Sequence, residues 1–496
     1  MTQRAPAFAP LVHGLARNPA APADLLLHLL RTCPELACVG LRDRGALPGR
    51  VQDVMSLHPS RQVRGTLAEH PDVAPAIRTR LLADPDWRVR IRAFGRRGQR
   101  PLPDEVLIQL LAELPQPSPS MPHTSEELFG ELFEATRYDR HLVHLAATHS
   151  DPEVRRRVAV LAVWRDDLRT LLTDPVPEVR TAAAESLAEH ERVMQPTDLP
   201  EQHCHAFWYV LQRPLSRALV DRVLATDDVE ALYFVAINPT TPPDVVETLL
   251  HHPDIGIRCR AATRADLTSG QLLRLVTDPA VEVRTAVSTH PGLTEQQRAD
   301  IDIGASDTNF GPLEGLRSAG HGDASVAGLD QARQWAVSGN RLLRRRAARR
   351  PDLPQDLVAA LADDPDLGVR VLLAHNHPHA PAALLLRCFL EYDRGRDRLS
   401  ALPQFPKAGL ARFADHPDPA VRRLVALDPH ADAELVGRLS ADPDIAVRTA
   451  MAGCPRLPLE RITALLDAPE LAEHAAANPA LPAEQMWRML EQDATH

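Results

Sequence analysis

The side chains that could do the most chemistry in this sequence are arginines, and they recur at a fixed spacing. Ten of them directly follow an apolar residue, and an Asp or a His stands six positions before nine of the ten. An arginine donates hydrogen bonds in a fork that fits a carboxylate or a phosphate. The pattern allows either a ladder of arginine–carboxylate pairs inside the fold or a groove for acidic ligands. We favour the ladder, because each of these arginines has an acidic or capping residue close by. The ten are Arg64, Arg90, Arg155, Arg180, Arg258, Arg284, Arg344, Arg370, Arg422 and Arg448.

The densest run of positive charge is RLLRRRAARR, at residues 341–350. On a helix Arg341, Arg345 and Arg349 share one stripe, because residues four apart lie above one another. Three guanidinium groups could then face one phosphate or carboxylate of a partner. A stripe that is merely hydrated is the alternative. We name these three arginines as candidate partner-binding residues.

Two segments, HCHAFWYVLQRP and VEALYFVAINP, carry aromatic residues in a chain that is only 4% aromatic. Aligned on their prolines, they place Trp208 and Tyr233 where a helix turns away from its apolar stripe, and Tyr209 and Phe234 toward the core. We predict that Trp208 and Tyr233 form an exposed pair that binds a partner. The alternative is that the irregular segment 191–201 folds over these rings.

Motifs for catalysis or cofactor binding are absent from the sequence. It contains no GxSxG, no phosphate-binding loop, no HExxH and no glycine-rich dinucleotide turn. Six cysteines are scattered without a CxxC pair, and the histidines at 203–205 and 375–379 do not complete a zinc ligand set. We therefore expect a protein that is not an enzyme and that uses no metal and no cofactor.

The elements that must position these side chains are repeats of 25 or 26 residues. In the best-formed copy, residues 439–459, Asp442 can cap a helix on which Val447, Ala450 and Met451 share one face. About sixteen such copies, counting degenerate ones, cover most of the chain. A fixed period of this length is typical of a solenoid, in which each unit buries its apolar face against its neighbours. Since strand-like alternation is missing, we predict an all-α solenoid of two-helix repeats.

The period fails at two places, and these divide the predicted solenoid. Residues 112–148 are a predicted helical insert within an N-terminal repeat region, 1–292. Residues 293–340 are rich in Gly, Asp and Ser, which is typical of an insert or hinge. The C-terminal repeats then run from 341 to 496.

The repeat consensus D-P-x-x-x-V-R-x-x-V-A-x-x-P-x-x-P-x-x-L-L resembles that of the leucine-rich repeat variant family, a relative of the HEAT-like helical repeats. The resemblance extends over most of the chain. It implies a right-handed superhelix in which an α-helix alternates with a shorter, often 3₁₀, helix. Some members of the family carry a cysteine-ligated iron–sulfur module, for which this sequence has no ligand set.

Charge and hydropathy narrow the classes of function. The formal net charge is -10 and Lys407 is the single lysine, so a general attraction to nucleic acid or to an anionic membrane is not expected. No segment reaches membrane-spanning length, and we expect a soluble, cytoplasmic protein. The leading hypothesis is a non-catalytic scaffold that binds a protein or peptide along an elongated helical-repeat surface. The alternative is a nucleic-acid-binding HEAT-like protein with base-excision activity, as in the HEAT-like alkyl-base glycosylases.

Overall fold

The structure is a computed structural model of the chain, and it describes residues 8–94, 108, 140–161, 165–304 and 328–493. These residues form α-helices, three short 3₁₀ helices and a single β-bridge between Met194 and Leu215. Within the same residues, no helix is both long and apolar enough to cross a membrane. The predicted all-α architecture is therefore confirmed. Most of the insert predicted at 112–148, and the middle of the one at 293–340, lie outside the described residues.

The chain divides into two compact units. Unit 1 consists of residues Met1–Leu187 together with Lys407–His496, and unit 2 consists of Ala188–Pro406. This division differs from the boundaries predicted from the sequence at 292 and 340. Those boundaries followed breaks in the repeat pattern, whereas the two units follow the packing between helices.

The helices that begin in unit 1 come from both ends of the chain. In order they are Phe8–Arg17, Ala23–Thr32, Pro34–Arg42, Gly49–Ser56, Arg61–Ala68, Pro75–Leu82, Trp87–Phe94, Arg140–Ala147, Pro152–Leu161, Arg165–Leu171 and Pro177–Glu191. After residue 406 come the 3₁₀ helix Leu410–Phe413, the α-helix Pro419–Arg422, the 3₁₀ helix Arg423–Leu427, and the α-helices Ala433–Leu439, Ile445–Ala452, Leu459–Leu466, Ala472–Ala476 and Ala483–Asp493.

The helices of unit 2 follow the same alternation. They are the 3₁₀ helix Pro196–Asp198 and the α-helices His205–Leu211, Arg217–Thr226, Val229–Ile237, Pro243–Leu250, Ile255–Ala261, Ser269–Leu275, Val281–Val287, Glu295–Ala299, Leu329–Ala336, Arg341–Ala348, Gln355–Ala362, Leu367–Asn376, Ala382–Glu391 and Arg396–Ala401.

Each repeat contains two helices, which we call the arginine helix and the leucine helix. The arginine helix carries the repeat arginine or the residue in its place, as Ile255–Ala261 does with Arg258. The leucine helix is rich in buried aliphatic residues, as in Pro243–Leu250, where a proline at the first position supplies a helical φ angle. Both kinds are mostly α-helical in the described residues, so the shorter 3₁₀ helix implied by the family resemblance is the exception.

The helix caps differ by two residues from the sequence-based expectation. The N-cap of Ile445–Ala452 is Asp444, whose carboxylate accepts from the Ala446 amide at 2.8 Å. Asp442, the predicted cap, instead accepts from the Asp444 amide at 2.9 Å and so holds the turn that leads into the helix. The predicted cap was two residues too early, because Asp442 and Asp444 are both aspartates that can accept from a free helix N–H.

The predicted arginine–carboxylate ladder is present and it links adjacent repeats. Arg258 donates from Nε and Nη2 to the two carboxylate oxygens of Asp278, 20 residues later, at 3.0 and 3.1 Å. Its Nη1 donates to the carbonyl of His252 at 2.9 Å, inside its own repeat. The guanidinium group therefore holds its own turn and the next repeat together. The equivalent pairs are Arg64 with Asp84, Arg155 with Asp174, Arg344 with Asp364, and Arg422 with Asp442.

A second ladder, not predicted from the sequence, starts from the residue six positions after the repeat arginine. In Asn238 the amide nitrogen donates to the carbonyls of Leu211 and Arg213 in the preceding repeat, at 2.9 and 2.7 Å. The amide oxygen accepts from the Thr240 backbone N–H at 2.9 Å. One buried side chain thus satisfies two carbonyls left over at a helix end and one turn amide.

In the following repeats, chemically different residues bond to the same backbone carbonyls of the preceding repeat. Arg264 donates to the carbonyls of Ala236 and Asn238 at 3.2 and 2.7 Å. In the next repeat, His290 bonds from Nε2 to the Arg264 carbonyl at 2.8 Å and accepts at Nδ1 from the Gly292 amide at 3.0 Å. Since Nδ1 is an acceptor, this histidine is neutral with its proton on Nε2.

In unit 1 the second ladder also joins the two ends of the chain. Asn18 donates to the carbonyls of Ala476 and Asn478 at 2.8 and 2.7 Å, the same geometry that Asn238 has with its neighbour. Close approach of the two helices requires Gly14, because a Cβ there would lie 2.2 Å from the carbonyl oxygen of Glu473. Residues 8–18 therefore stack on residues 472–478 as one repeat stacks on the previous one.

The first ladder makes a prediction about stability. Arg258→Ala removes a pair whose side chains are only 12% and 10% exposed, and it leaves the Asp278 carboxylate without its main donor. We expect the melting temperature to fall by roughly 5 °C or more, because an unpaired charge in a dry place is costly. Arg274→Ala is the control, since that arginine and its partner Glu247 are 50% and 41% exposed. The control should lose less than about 2 °C, and equal losses would contradict the ladder.

The second ladder makes a prediction about pH. Burial lowers the pKa of His290, with a further contribution from Arg298, although the bond to the Arg264 carbonyl opposes the shift. Since the folded-state pKa is below the unfolded value of about 6.5, the stability that this residue supplies is lost as the pH falls below about 6.5. His290→Asn should keep the bonds, as Asn238 does, and remove this titration. Thermal unfolding at about pH 7.5 and about pH 5.5 should show a smaller acid-induced loss in the variant, and an unchanged loss would refute the assignment.

Candidate protein-binding surface

A continuous surface of unit 2 is built from positions that the two ladders do not use. These are the positions one, two and five after the repeat arginine, or after the residue in its place, on consecutive arginine helices. We call this surface the aromatic–arginine row. Along the chain its members at the second and fifth positions are Tyr209 and Gln212, Phe234 and Ile237, Arg260 and Thr263, Ala286 and Thr289, and Arg346 and Arg349; Leu372 and His375, at the same positions of the next repeat, are buried.

The aromatic end of the row is packed differently from the sequence-based expectation. Trp208 is partly buried, and its ring stacks on Phe234 of the next repeat with centroids 5.1 Å apart and an interplanar angle of 28°. Tyr233 is also partly buried and lies under the guanidinium group of Arg260, 5.9 Å from its centroid. Tyr209, predicted to be core, is 50% exposed, so that prediction is wrong. The stacked pair is Trp208 with Phe234, and the exposed ring is Tyr209.

The alternative that segment 191–201 folds over these rings is not what the structure has. The irregular segment, residues 191–201, makes its hydrogen bonds beside the Arg217–Thr226 helix. Met194 forms a β-bridge with Leu215, and Arg222 donates to the Pro196 carbonyl. The side chain that lies against the rings is His203, 4.5 Å from Phe207 and 5.2 Å from Trp208 between centroids. The rings are therefore flanked by one histidine and not by the whole segment.

His203 lies between two carboxylates. Its Nε2 is 2.6 Å from Asp228 and its Nδ1 is 3.0 Å from Glu230. The hydrogen bond with Asp228, followed by the charges of both carboxylates, raises the pKa of His203. This triad was not predicted, because the two carboxylates come from the next repeat, 25 and 27 residues along the chain.

The basic run lies at the other end of the row, on the helix Arg341–Ala348. Arg345, predicted to bind a partner, donates to both carboxylate oxygens of Asp366 at 2.7 Å, and the two side chains are 6% and 4% exposed. Burial alone would raise the pKa of Asp366, but the bonds from Arg345 bring it below its usual value. Arg341 donates to the carbonyl of Ile303 at 3.3 Å. A partner-binding role for Arg341, Arg345 and Arg349 remains a prediction, and the structure gives Arg345 a structural role as well.

Arg346 is a residue that sequence reasoning missed. It is half-buried and donates to the Thr289 hydroxyl of the preceding repeat at 3.3 Å. Burial, and next the charge of Arg349, lower its pKa. The signal was in the sequence, since Arg346 aligns with Ala286 of the regular repeat. It was overlooked because it lies off the stripe formed by Arg341, Arg345 and Arg349.

The histidines at 375–379 do not share one role. His377 bonds to the Leu353 carbonyl at 3.2 Å and accepts from the His379 amide at 3.1 Å, as His290 does in its own repeat. His375 is 5% exposed, and burial followed by the charge of Arg398 lowers its pKa to about 4. Among the described residues no group of three or more His, Cys, Asp and Glu side chains could hold a metal ion.

Comparison with known proteins finds one short match to a family of helical repeats. The family model described as "HEAT repeat" matches residues 167–189, a small part of the chain. No curated protein matches. A crystal structure of the karyopherin Kap121p bound to the extreme C-terminus of the protein phosphatase Cdc14p is 12% identical, with 98% of this chain covered and a TM-score of 0.22. The chain covers 52% of that karyopherin, about half its length. An engineered protein is 15% identical over 94% of this chain and 98% of its own, with a TM-score of 0.12. These two likenesses are too distant to inform on function.

The packing of the aromatic end predicts that neighbouring rings respond differently to truncation. Trp208→Ala removes a ring that packs against Phe207, Phe234 and His203, so it should lower the melting temperature by several degrees. Tyr209→Ala removes an exposed ring whose hydroxyl accepts from Arg213 at 2.7 Å, and it should change melting by less than about 2 °C. The reverse order would show that the rings have the orientations predicted from the sequence alone.

Proposed function

We propose that the chain is a non-catalytic scaffold that binds a protein or peptide along the aromatic–arginine row. The observation that carries the proposal is a line of rings and guanidinium groups on four of five consecutive repeats, at positions that belong to neither ladder. Exposed Tyr209 and Arg260, together with half-buried Trp208 and Phe234, supply side chains typical of interface hot spots. Rigid rings bury much area at little cost in conformational entropy.

The dimensions of the row suit an extended peptide. Packed helices lie about 8 to 10 Å apart, and four steps separate the arginine helix that carries Tyr209 from the one that carries Arg346. The span is then about 32 to 40 Å, which an extended chain covers with about ten to twelve residues. A repeat surface of this kind offers similar positions at regular intervals, and this is how solenoids bind elongated partners.

Two further features agree with a binding protein of the cytoplasm. All six cysteines are free thiols, which is usual for proteins of a reducing compartment. Burial, the charge of Glu282 and further contributions raise the pKa of the Cys259 thiol to about 11, so this cysteine on the row is unreactive. The scaffold therefore acts by contact and not by chemistry on the ligand.

One observation favours nucleic acid as a second candidate. Rings and arginines in one line are also the means by which proteins bind single strands, through base stacking and phosphate contacts. The alternative of base excision would need an acid or base beside a pocket for the base. The net charge of -10 opposes a general attraction to a polyanion, so we rank the peptide above the nucleic acid.

A displayed library of random twelve-residue peptides, selected on the full chain, tests the proposal. We expect enriched peptides to share side-chain chemistry and to lose at least tenfold in affinity for Tyr209→Ala, about 1.4 kcal/mol. The control is Leu273→Ala, which removes a side chain of similar exposure, 53% against 50%, from a leucine helix. The control should bind within about twofold of the wild type, since it lies off the row. Failure to enrich any peptide, or equal binding by Tyr209→Ala, would contradict the proposal.

A further inference from the structure

One interface of unit 1 joins two segments of the chain that are far apart in the sequence. The helix Phe8–Arg17 packs on the helix Ala472–Ala476 as one repeat packs on the previous one, and we call this interface the seam. Its bonds run from Asn18 to carbonyls 458 and 460 residues away. At a regular interface, such as that of Val229–Ile237 with Ile255–Ala261, one leucine helix and two short loops join the two arginine helices. No such short connection spans the seam.

The arginine–carboxylate ladder is interrupted on both sides of the seam. Along the stack, the last pair before the seam is Arg422 with Asp442, and the first pair after it is Arg64 with Asp84. Four repeats lie between these two pairs, and in the described residues none of the four makes such a pair with the next repeat. Their residues at the arginine position are Arg448, Ala472, Val12 and Cys38, and Arg448 has Ala468 where the next aspartate would stand.

Apart from the bonds of Asn18, the polar contacts at the seam are weak. Arg17 lies 3.4 Å from the Glu473 carboxylate, and the two side chains are 27% and 34% exposed, so solvent screens this pair. His13 also faces Glu473, at 3.8 Å. On each helix of the seam one buried ring nitrogen, Nε2 of His13 and Nδ1 of His474, has no hydrogen-bond partner within the described part of the chain. Such nitrogens make the closed seam less stable than a fully bonded interface.

The two faces of the seam nevertheless fit each other closely. Gly14 lies against the carbonyl oxygen of Glu473, and a side chain at Gly14 would overlap that oxygen. Buried apolar residues from both helices, such as Leu15 and Ala475, belong to one core cluster. Opening the seam would expose this apolar surface and leave the Asn18 amide and two helix-end carbonyls without partners. The terminal repeats of a soluble solenoid need a polar outer face, which neither face of the seam provides.

We propose that the seam is a self-association surface, through which two copies of the chain pair by exchanging it. Residues 8–18 of each copy then pack on residues 472–478 of the other. The partner is a second copy because that copy carries the complementary face, with the same donors, carbonyl groups and opposed charges. Exchange of an identical element costs little, since every contact of the closed seam is made again between copies. The exchange does not use the aromatic–arginine row, so it is independent of the proposed function.

Closure within one chain and exchange between two copies compete with each other. Within one chain the two faces are present at a high effective concentration, so closure is favoured in dilute solution. Opening the seam breaks no pair of the first ladder, and it therefore costs less than separation at an interface that has such a pair. Exchange should consequently increase with protein concentration, and with warming that populates the open form.

The test uses the charges that face each other across the seam. Arg17→Glu places two carboxylates against each other, and Glu473→Arg places two guanidinium groups there. When these two variants are mixed, each exchanged seam of a mixed dimer pairs an acidic with a basic side chain. Each variant and the equimolar mixture are incubated a few degrees below the melting temperature, cooled, and sized by gel filtration with light scattering. We expect about tenfold more dimer in the mixture than in either variant alone, because both seams regain their pairs.

Two controls show whether the mixing effect belongs to the seam. Both substitutions on one chain restore the pair within the closed seam, so this double variant should behave as the wild type does. The matched pair is Arg92 with Glu69, which lie 3.3 Å apart and are 43% and 32% exposed, on repeats that are consecutive in the chain. A mixture of Arg92→Glu and Glu69→Arg should remain monomeric, because its exchange would require these repeats to unfold.

A blocked seam completes the test. Dimers of the wild type should increase with concentration during the incubation, whereas Gly14→Leu should form none, because its side chain prevents closure both within and between copies. Circular dichroism checks that this variant keeps its helices; if it loses them, the mixing experiment decides alone. Dimers that persist in a folded Gly14→Leu variant, or a charge-swapped mixture no richer in dimer than its components, would overturn the exchange. Either result would leave the peptide-binding proposal standing.

Discussion

The structure depends on one constraint: each short arginine helix ends with carbonyl groups that it cannot satisfy by itself. A helix of seven or eight residues has nearly as many unpaired backbone groups at its ends as bonds within it. The next repeat supplies the missing donors, from Asn238 to the helix before it and from Arg264 to the helix of Asn238. Because no repeat is complete alone, the described repeats of each unit are stable only as a stack.

This constraint separates two classes of position along the arginine helix. The repeat arginine and the residue six positions later are engaged with neighbouring repeats, and so are the aspartates that receive them. The positions one, two and five after the repeat arginine belong to neither ladder, although Arg345 at the first position pairs with Asp366 of the next repeat. In unit 2 they carry rings at one end and guanidinium groups at the other. These positions are therefore the ones that we propose for binding, because the ladders do not determine their residue types.

The sequence predicted the periodic part of the fold well and its exceptions poorly. Arg258 and Asp278 recur with the repeat, so their pairing could be inferred from spacing. The ladder of Asn238, Arg264 and His290 escaped notice because three residue types share one geometry, which only the backbone carbonyls reveal. Tyr209 was misplaced because the second position after the repeat residue is not a core position: Ala286 is half-buried there, and the side chain at the third position, Val210, is the buried one. Such differences depend on packing, and residue type alone does not determine it.

In the candidate site too, packing between repeats could not be predicted from residue type and spacing. Sequence spacing brought Arg341, Arg345 and Arg349 to one stripe, but it could not show that Asp366 of the next repeat engages Arg345. Nor could it show that Arg346 lies half-buried against Thr289 or that His375 is buried without a partner among the described residues. Both facts depend on which repeats are adjacent in space. The aromatic end was located correctly as a region, and the roles of its individual rings were not.

The most direct test of the ladder uses its step between residues far apart in the chain, followed by hydrogen–deuterium exchange and mass spectrometry. Asn18 donates to carbonyls 458 and 460 residues away, and Asn18→Leu removes both bonds at nearly constant volume. The account predicts faster amide exchange in residues 472–478 as well as in residues 8–18, with little change in unit 2, since buried carbonyls would lose their donors. If faster exchange is confined to residues 8–44, the second ladder does not couple these repeats and the account is contradicted.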